Sequence, residues 1–382
     1  MALEIREQPD ALEHVLRTAP ARIREALDTL AASRPDGLSG RVVFAGCGDM
    51  SFAAETVARH AHLEGMGFNA WRSMDARWSS QGVVSTDLVV VASVSGRTAR
   101  TVEAATLARE AGAAVLGITA SPGAALGEVC DAVLPLELCD PALLEQHEYA
   151  GYQNAIGQTK SYVAVLLMEL ALASELGRRR GLAEPLASIA AVPERLRDSL
   201  GGLEESVRAV VSELRASTRD VVVLGSGPWL ATAEYAAAKW LELAVSGRAR
   251  CIEEYHHLDM FVADDATTIV LLALDEASHG RVAEVAGPLG ELGAHRLVIR
   301  AEGCGAPLEG LPEIVLPECG RIERLFLVTA AVQLLAMYGG AALGRDVTRW
   351  LGGCRTDLLT KLGSTTIRAS RILDRRPGAD PA

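Results

Sequence analysis

The chain has 382 residues, 49% of them apolar and 23% charged, with a formal net charge of −12. Such a composition describes a globular protein with a sizeable core, and the length allows two domains or a matched pair. Acids outnumber bases 49 to 37 and aromatics are 4%, which argues against a phosphate-seeking basic surface or stacking platforms for single strands, so no nucleic-acid partner is expected.

The first residues, MALEIREQPDALEHVL, carry acids and no apolar core segment, so they do not read as a signal peptide. The longest apolar runs, such as VAVLLMELALA from Val163, include a charge and are too short to span a bilayer, so no membrane partner is expected. Seven cysteines (Cys47, Cys130, Cys139, Cys251, Cys304, Cys319, Cys354) form no CxxC pair. An odd, unpaired set suggests reduced thiols and a cytoplasmic location.

The chain contains itself twice. RVVFAGCGDMSFAAE (Arg41 to Glu55) lies over DVVVLGSGPWLATAE (Asp220 to Glu234) at an offset of 179, matching Gly46 with Gly225, Gly48 with Gly227 and Glu55 with Glu234. DLVVVASVSG (from Asp87) lies over TTIVLLALDE (from Thr267) at offset 180. AVLGIT near Val115 lies over RLVIR near Leu297 at about 181, and DAVLP (from Asp131) over EIVLP (from Glu313) at 182. A slowly drifting offset is what small loop insertions produce.

In each copy, short β-branched runs read as fully buried parallel strands. The stretches between them, such as SFAAETVARHAHLEG and RTARTVEAATLAREAG, read as helices, with Gly65 and Gly112 closing two of them. The expected fold class is α/β: two doubly wound parallel-sheet lobes, flavodoxin- or Rossmann-like, in tandem. The boundaries read as an N-terminal helical segment (1–34), a first lobe (35–182), a linker or helix with Pro185 and Pro193 (183–205), a second lobe (206–345) and a tail (346–382).

In an open parallel sheet, ligands bind beyond the carboxyl ends of the strands, at helix N-termini. The loop GCGDMS offers Gly46 and Gly48 for close backbone approach by an anion, or simply a tight strand-to-helix turn. It lacks the third glycine of a dinucleotide fingerprint. Cys47 lies where a ligand would pass, and with no adjacent base it reads as a small packed residue. The loop SVSGRT sets Ser93, Ser95 and Thr98 around Gly96 after a buried strand, a nest suited to phosphate. The alternative is simple helix capping. The second copy has ALDE there, so only the first copy is expected to hold phosphate. His60 and His62 fall on different faces of their helix, so no metal site is expected.

These residues resemble the sugar isomerase (SIS) family, in the tandem form seen in the isomerase half of glucosamine-6-phosphate synthase, in fructosamine-phosphate deglycases and in ketose/aldose isomerases. EIREQPDAL is similar to the segment that opens that isomerase half. GCGDMS resembles the family's GCGTS, SVSGRT its SQSGET, and QTK (Gln158 to Lys160) its STK. EYAAAKWLELA resembles EGALKLKEI, which places Lys239 and Glu242 on the family's lysine and catalytic glutamate. EEYHHLDMF resembles GELKHGPLA, which places His257 on the ring-opening histidine, with His256 as competitor. The resemblance implies no cofactor, a sugar phosphate as the small-molecule partner, and a homodimer in which His257 comes from the neighbouring subunit. It also sets Arg355 near the place of a tail lysine that closes over the sugar.

The chemistry suits these residue types. Moving a carbonyl between C1 and C2 needs one base to shuttle a proton through an enediol. A carboxylate such as Glu242 can do so, with a contribution of roughly 10²- to 10⁴-fold. Opening a sugar ring needs an acid–base group near neutral pH, which histidine supplies. Lys239, three residues before Glu242, shares its helix face and could pair with it or with a sugar oxygen.

Departures from the family pattern bear on substrate. Asp49 and Met50 replace Thr-Ser, Val94 replaces a glutamine while keeping its backbone N–H, and Leu258-Asp259 replace Gly-Pro. The stretch EQHEYAGYQNAIG, with His147 and Glu148, reads as an inserted loop, the alternative being a lining for a different sugar pocket. Starting at Met1-Ala2 without an N-terminal cysteine nucleophile, the chain is not expected to transfer amide nitrogen from glutamine. The favoured expectation is an aldose–ketose isomerase. Its rivals are a deaminase, deglycase or ammonia-using aminating isomerase, and a non-catalytic sugar-phosphate-binding regulatory module.

Overall fold

The run VVFAG has no polar side chain on either face, and β1 (Val42–Gly46) is buried along its whole length. The computed structural model describes residues 1–34, 37–139, 159–348 and 366–369. The chain divides into two compact units. One comprises His14–Leu138, Ala164–Leu186 and Arg355–Ala382; the other comprises Met1–Glu13, Cys139–Val163 and Ala187–Cys354. They are called the first and second lobes here.

The first lobe holds β1, β2 (Asn69–Arg72), β3 (Leu88–Ala92), β4 (Ala114–Thr119) and β5 (Ala132–Pro135) in the order β2-β1-β3-β4-β5, all parallel. The second holds β6 (Asp220–Leu224), β7 (Ser246–Arg250), β8 (Thr267–Ala273), β9 (His295–Ala301) and β10 (Glu313–Leu316) in the order β7-β6-β8-β9-β10, also all parallel. The strand order is flavodoxin-like in each, with helices as crossovers, so the expected fold class stands. The central strands β3, β4 and β8 are buried at every residue, as their continuous apolar sequences require.

β2 and β7 had no counterpart among the apolar runs. They are edge strands with mixed, part-exposed residues, NAWR and SGRAR, and such strands carry neither a buried run nor a clean alternation. Pro193 stands in the first turn of the helix Val192–Ser212, a position that needs no N–H. That helix runs through positions 205 and 206. Among the described residues one helix, Arg321–Ala342, is long and apolar enough to cross a membrane, and most of its apolar window is buried. His60 is buried and His62 exposed on the helix Asp49–His62, consistent with their different faces.

Candidate functional site

The two lobes begin with the same turn. Gly46 ends β1 where an added Cβ would lie 2.5 Å from Met50 Cβ and 2.6 Å from Met50 carbonyl carbon. Gly225 stands equally close to Trp229, at 2.6 Å from its carbonyl oxygen. Gly48 and Gly227 take φ of 56° and 57°. Since the second lobe repeats this geometry, the glycines are explained by strand-to-helix crossing alone. Cys47, between them, is part-buried and unpaired by disulfide. Ser51, behind the turn, donates to the Gly48 carbonyl at 2.7 Å.

The SVSGRT loop follows β3. Ser93 is buried and its Oγ lies 3.0 Å from Thr98 Oγ1. One hydroxyl proton is used between them, and the other remains to donate elsewhere. Thr98 is the N-cap residue of the helix Ala99–Glu110 without a side-chain cap bond. Gly96 has φ 62°, and an added Cβ would meet Ala124 Cβ at 2.8 Å and Thr119 Oγ1 at 3.0 Å. The Val94 carbonyl accepts from the Ala120 amide (3.0 Å) and Thr119 Oγ1 (3.2 Å). Ser95 is exposed, and its Oγ accepts from the Arg97 amide at 3.3 Å. Among the described residues, the amides of Val94, Ser95 and Thr98 have no partner. The loop is therefore anchored on one side by hydrogen bonds and presents open backbone donors on the other, a geometry of the kind that can receive an anion.

The corresponding loop of the second lobe is already filled. Asp275 caps the helix Glu276–Glu291, its Oδ1 accepting the Ser278 amide at 2.8 Å, and Trp229 Nε1 donates to its Oδ2 at 2.6 Å. Burial opposes ionisation, but the Ser278 amide, the Trp229 indole and nearby Arg324 bring the carboxyl below the usual carboxylate range. An internal carboxylate thus stands where the first lobe leaves its donors open.

The second lobe carries the candidate acid–base residues. Lys239 and Glu242 lie in the last turn of the helix Leu230–Glu242, with Lys239 Nζ donating to Glu242 Oε1 at 2.7 Å. Lys239 is fully buried, while the Glu242 side chain is one quarter exposed. The ammonium lies 4.8 Å from the centre of the Tyr235 ring, a cation–π contact. Tyr235 stacks on Tyr162 with centroids 3.7 Å apart. Its hydroxyl accepts from Gln333 Nε2 at 2.8 Å, and Gln333 Oε1 accepts from Gln8 Nε2 at 2.6 Å. Sequence reasoning missed Tyr235, Gln333 and Gln8. The spacing of Tyr235 four residues before Lys239 was the available signal; nothing local ties Gln333 or Gln8 to them.

Gln158 and Arg355 lie outside the described residues. Next to Gln158, Glu4 Oε2 accepts the Thr159 and Lys160 amides (2.7 and 3.2 Å), and Lys160 Nζ donates to Glu7 at 2.6 Å. The acids of the N-terminal EIREQ segment thus hold the start of the helix Lys160–Arg179.

His256 and His257 end the helix Ile252–His257. His256 Nδ1 lies 2.8 Å from the Ile252 carbonyl, so its ring is turned onto its own helix. His257 is exposed. Asp259, just beyond, accepts from Arg248 at 2.6 Å and Arg250 at 2.7 Å. The two β7 arginines thereby fasten the segment after the histidine.

Comparison with known proteins places this geometry. Residues 39–168 match the SIS domain. The glutamine–fructose-6-phosphate aminotransferase (isomerizing) of Caulobacter vibrioides is 24% identical over 363 residues, covering 91% of this chain and 56% of that protein. That of Symbiobacterium thermophilum is 28% identical over 369 residues, covering 91% and 57%. The chain spans about half the length of the curated relatives it matches. Among solved structures, the C-terminal domain of glucosamine-fructose-6-phosphate aminotransferase from Francisella tularensis aligns with TM-score 0.73 at 18% identity, covering 91% of this chain and 96% of that one. Tagatose-6-phosphate ketose/aldose isomerase from Escherichia coli gives 0.71 at 22%, covering 90% and 92%. Glucosamine-6-phosphate deaminase from Thermotoga maritima gives 0.67 at 17%, covering 90% and 94%. Residues 39–168 thus match the SIS domain, in a chain similar along most of its length to part of the glutamine–fructose-6-phosphate aminotransferases.

Proposed function

We propose that this chain is a sugar-phosphate or amino-sugar-phosphate isomerase that moves a carbonyl between C1 and C2 through an enediol. The observation that carries this reading is the Lys239–Glu242 pair, a fully buried cation holding Oε1 of a carboxylate on a side chain that is one quarter exposed. In the open-chain aldose, Glu242 removes the proton on C2 and returns it to C1, while the hydroxyl proton of O2 passes to O1. Lys239, fully buried, holds the carboxylate in place. A single base serving both carbons is sufficient, because the two positions lie on one face of a cis-enediol.

The phosphate is assigned to the Ser93, Val94, Ser95 and Thr98 nest, with the Gly46-Cys47-Gly48 turn beside it. Gln158 and Arg355 are assigned to the sugar. The chain acts as a homodimer, and His257 of the partner subunit opens the ring by protonating the ring oxygen and taking the anomeric hydroxyl proton. His257 is preferred to His256 because the ring of His256 is engaged with the Ile252 carbonyl. A second reading keeps the same residues but releases or adds an amine. It is favoured by the relatives whose names describe amino transfer and by the deaminase that shares the fold.

The test is incubation with a panel of sugar and amino-sugar phosphates in deuterated water, following C2-proton exchange and ammonia. Exchange without ammonia supports the isomerase, and ammonia supports the second reading. Binding without exchange overturns both and leaves a regulatory module. The Glu242→Gln variant is expected to lose exchange by roughly 10²-fold or more while keeping its affinity for the sugar phosphate. Undiminished exchange in that variant would remove Glu242 from the mechanism.

A further inference from the structure

Arginines around the first lobe's sheet are mostly spent on the chain's own carboxylates. Arg77 and Arg100 both grip Glu103, Arg34 and Arg109 grip Asp131, and Arg41 grips Asp87. Two arginines beside the SVSGRT loop are not spent in this way. Arg97 lies within the loop, exposed, with only its backbone amide engaged by Ser95. Arg368 is also exposed. Its neighbour Ile367 gives its carbonyl to the Ala99 amide at 3.0 Å, which brings Arg368 to the first turn of the helix that the loop begins. Neither guanidinium has a carboxylate partner among the described residues. The repeat shows that this is particular to the first lobe: at the offset of 180, Arg97 corresponds to Ala277, in a segment that carries Asp275 and Glu276.

We propose that Arg97 and Arg368 form a second anion-binding element beside the phosphate nest, so that the substrate carries two anionic groups. One is the phosphate held by the loop, and the other is a second phosphate or a carboxylate on the same sugar. This inference rests on the assignment of the loop to phosphate. The open amides and the one spare hydroxyl proton of the nest suffice for a single phosphate. Two further positive charges beside it, without a carboxylate partner among the described residues, exceed what a monophosphate uses in a chain of net charge −12. Guanidinium is also the side chain best matched to phosphate and carboxylate, since its fork donates two parallel hydrogen bonds. The class of substrate singled out is therefore a sugar bisphosphate or a phosphorylated sugar acid.

The experiment is calorimetric titration of the full chain with inorganic phosphate, glucose 6-phosphate, fructose 1,6-bisphosphate and 6-phosphogluconate. The proteins compared are wild type, Arg97→Ala, Arg368→Ala and the double variant. In the wild type, at least one of the two doubly charged sugars is expected to bind about tenfold more tightly than glucose 6-phosphate. That advantage should shrink with added salt. The double variant should lose the advantage while its affinity for inorganic phosphate changes by no more than about threefold, which also shows that the nest is folded. Which of the two sugars is preferred identifies the second group. A wild type that binds phosphate but prefers neither sugar overturns this inference alone, as does a preference that survives in the double variant. Absence of any phosphate binding by the wild type overturns the reading of the loop and this inference with it.

Discussion

At the scale of single residues, the most exacting environment belongs to Glu169. It is fully buried in the helix Lys160–Arg179, and among the described residues neither carboxylate oxygen has a hydrogen-bond partner. Burial alone pushes its carboxyl well above the usual carboxylate range, so the neutral acid is the folded form. The linkage has a definite sign. The stability this group contributes is fully present below its unfolded-state value of ~4.3 and is lost as pH rises towards and through the raised folded value, at about 1.4 kcal/mol per pH unit within that window. Glu169→Gln is isosteric and carries no proton to lose. It is expected to melt above the wild type at pH 8 and to lose that advantage towards pH 5, as followed by thermal unfolding across the pH range. A constant difference at all pH values would show that Glu169 ionises normally. The sequence displayed this residue without revealing its state. Within VAVLLMELALA a single acid reads as the charge that interrupts an apolar run, whereas its burial depends on partners distant in the chain.

At the scale of elements, the glycine turns test whether the first loop is built for the fold or for the ligand. Both lobes have the same close approach at Gly46 and Gly225 and the same positive φ at Gly48 and Gly227, and the second lobe lacks the open nest. The turn therefore belongs to the strand–helix crossing. Gly46→Ala must push the Met50 backbone aside, since that contact is not a flexible side-chain tip. It is expected to cost about 1–3 kcal/mol in denaturant unfolding, and Gly225→Ala should cost a similar amount. A loss of phosphate affinity in Gly46→Ala without any loss of stability would return the glycine to the ligand. Elements of this kind were legible: matched glycines and continuous Val/Leu runs mark β1, β3, β6 and β8 because buried parallel strands have no polar face. β2 and β7 were not legible, because an edge strand is specified by its one neighbour rather than by its own pattern. The arginines of β7 that fasten Asp259 were hidden with it.

At the scale of the whole molecule, the sequence repeat foretold two sheets of one topology, and it did so because each copy must bury the same faces independently. The offset comparison could not reveal assembly, since a surface shared with a second copy has no internal counterpart. If the chain dimerises as proposed, the segment after His257 is where such a surface would lie. Leu258, Phe261 and Val262 are 64%, 75% and 69% exposed, a cluster of apolar side chains beside the histidine assigned to a neighbouring subunit. Covering such a patch in an isologous dimer would carry both copies of His257 into place at once. Phe261→Asp is accordingly expected to halve the mass measured by light scattering and to abolish proton exchange while leaving phosphate binding intact. A stricter test separates assembly from mere stability. Glu242→Gln and Glu242-intact His257→Ala homodimers should each be inactive. After unfolding and co-refolding in equal amounts, half the dimers are mixed, and each mixed dimer has one site with both an intact Glu242 and an intact partner His257. About a quarter of all sites should then recover exchange. Recovery near zero would mean that Glu242 and His257 act within one chain, or that the chain does not dimerise, and light scattering on the same sample distinguishes the two.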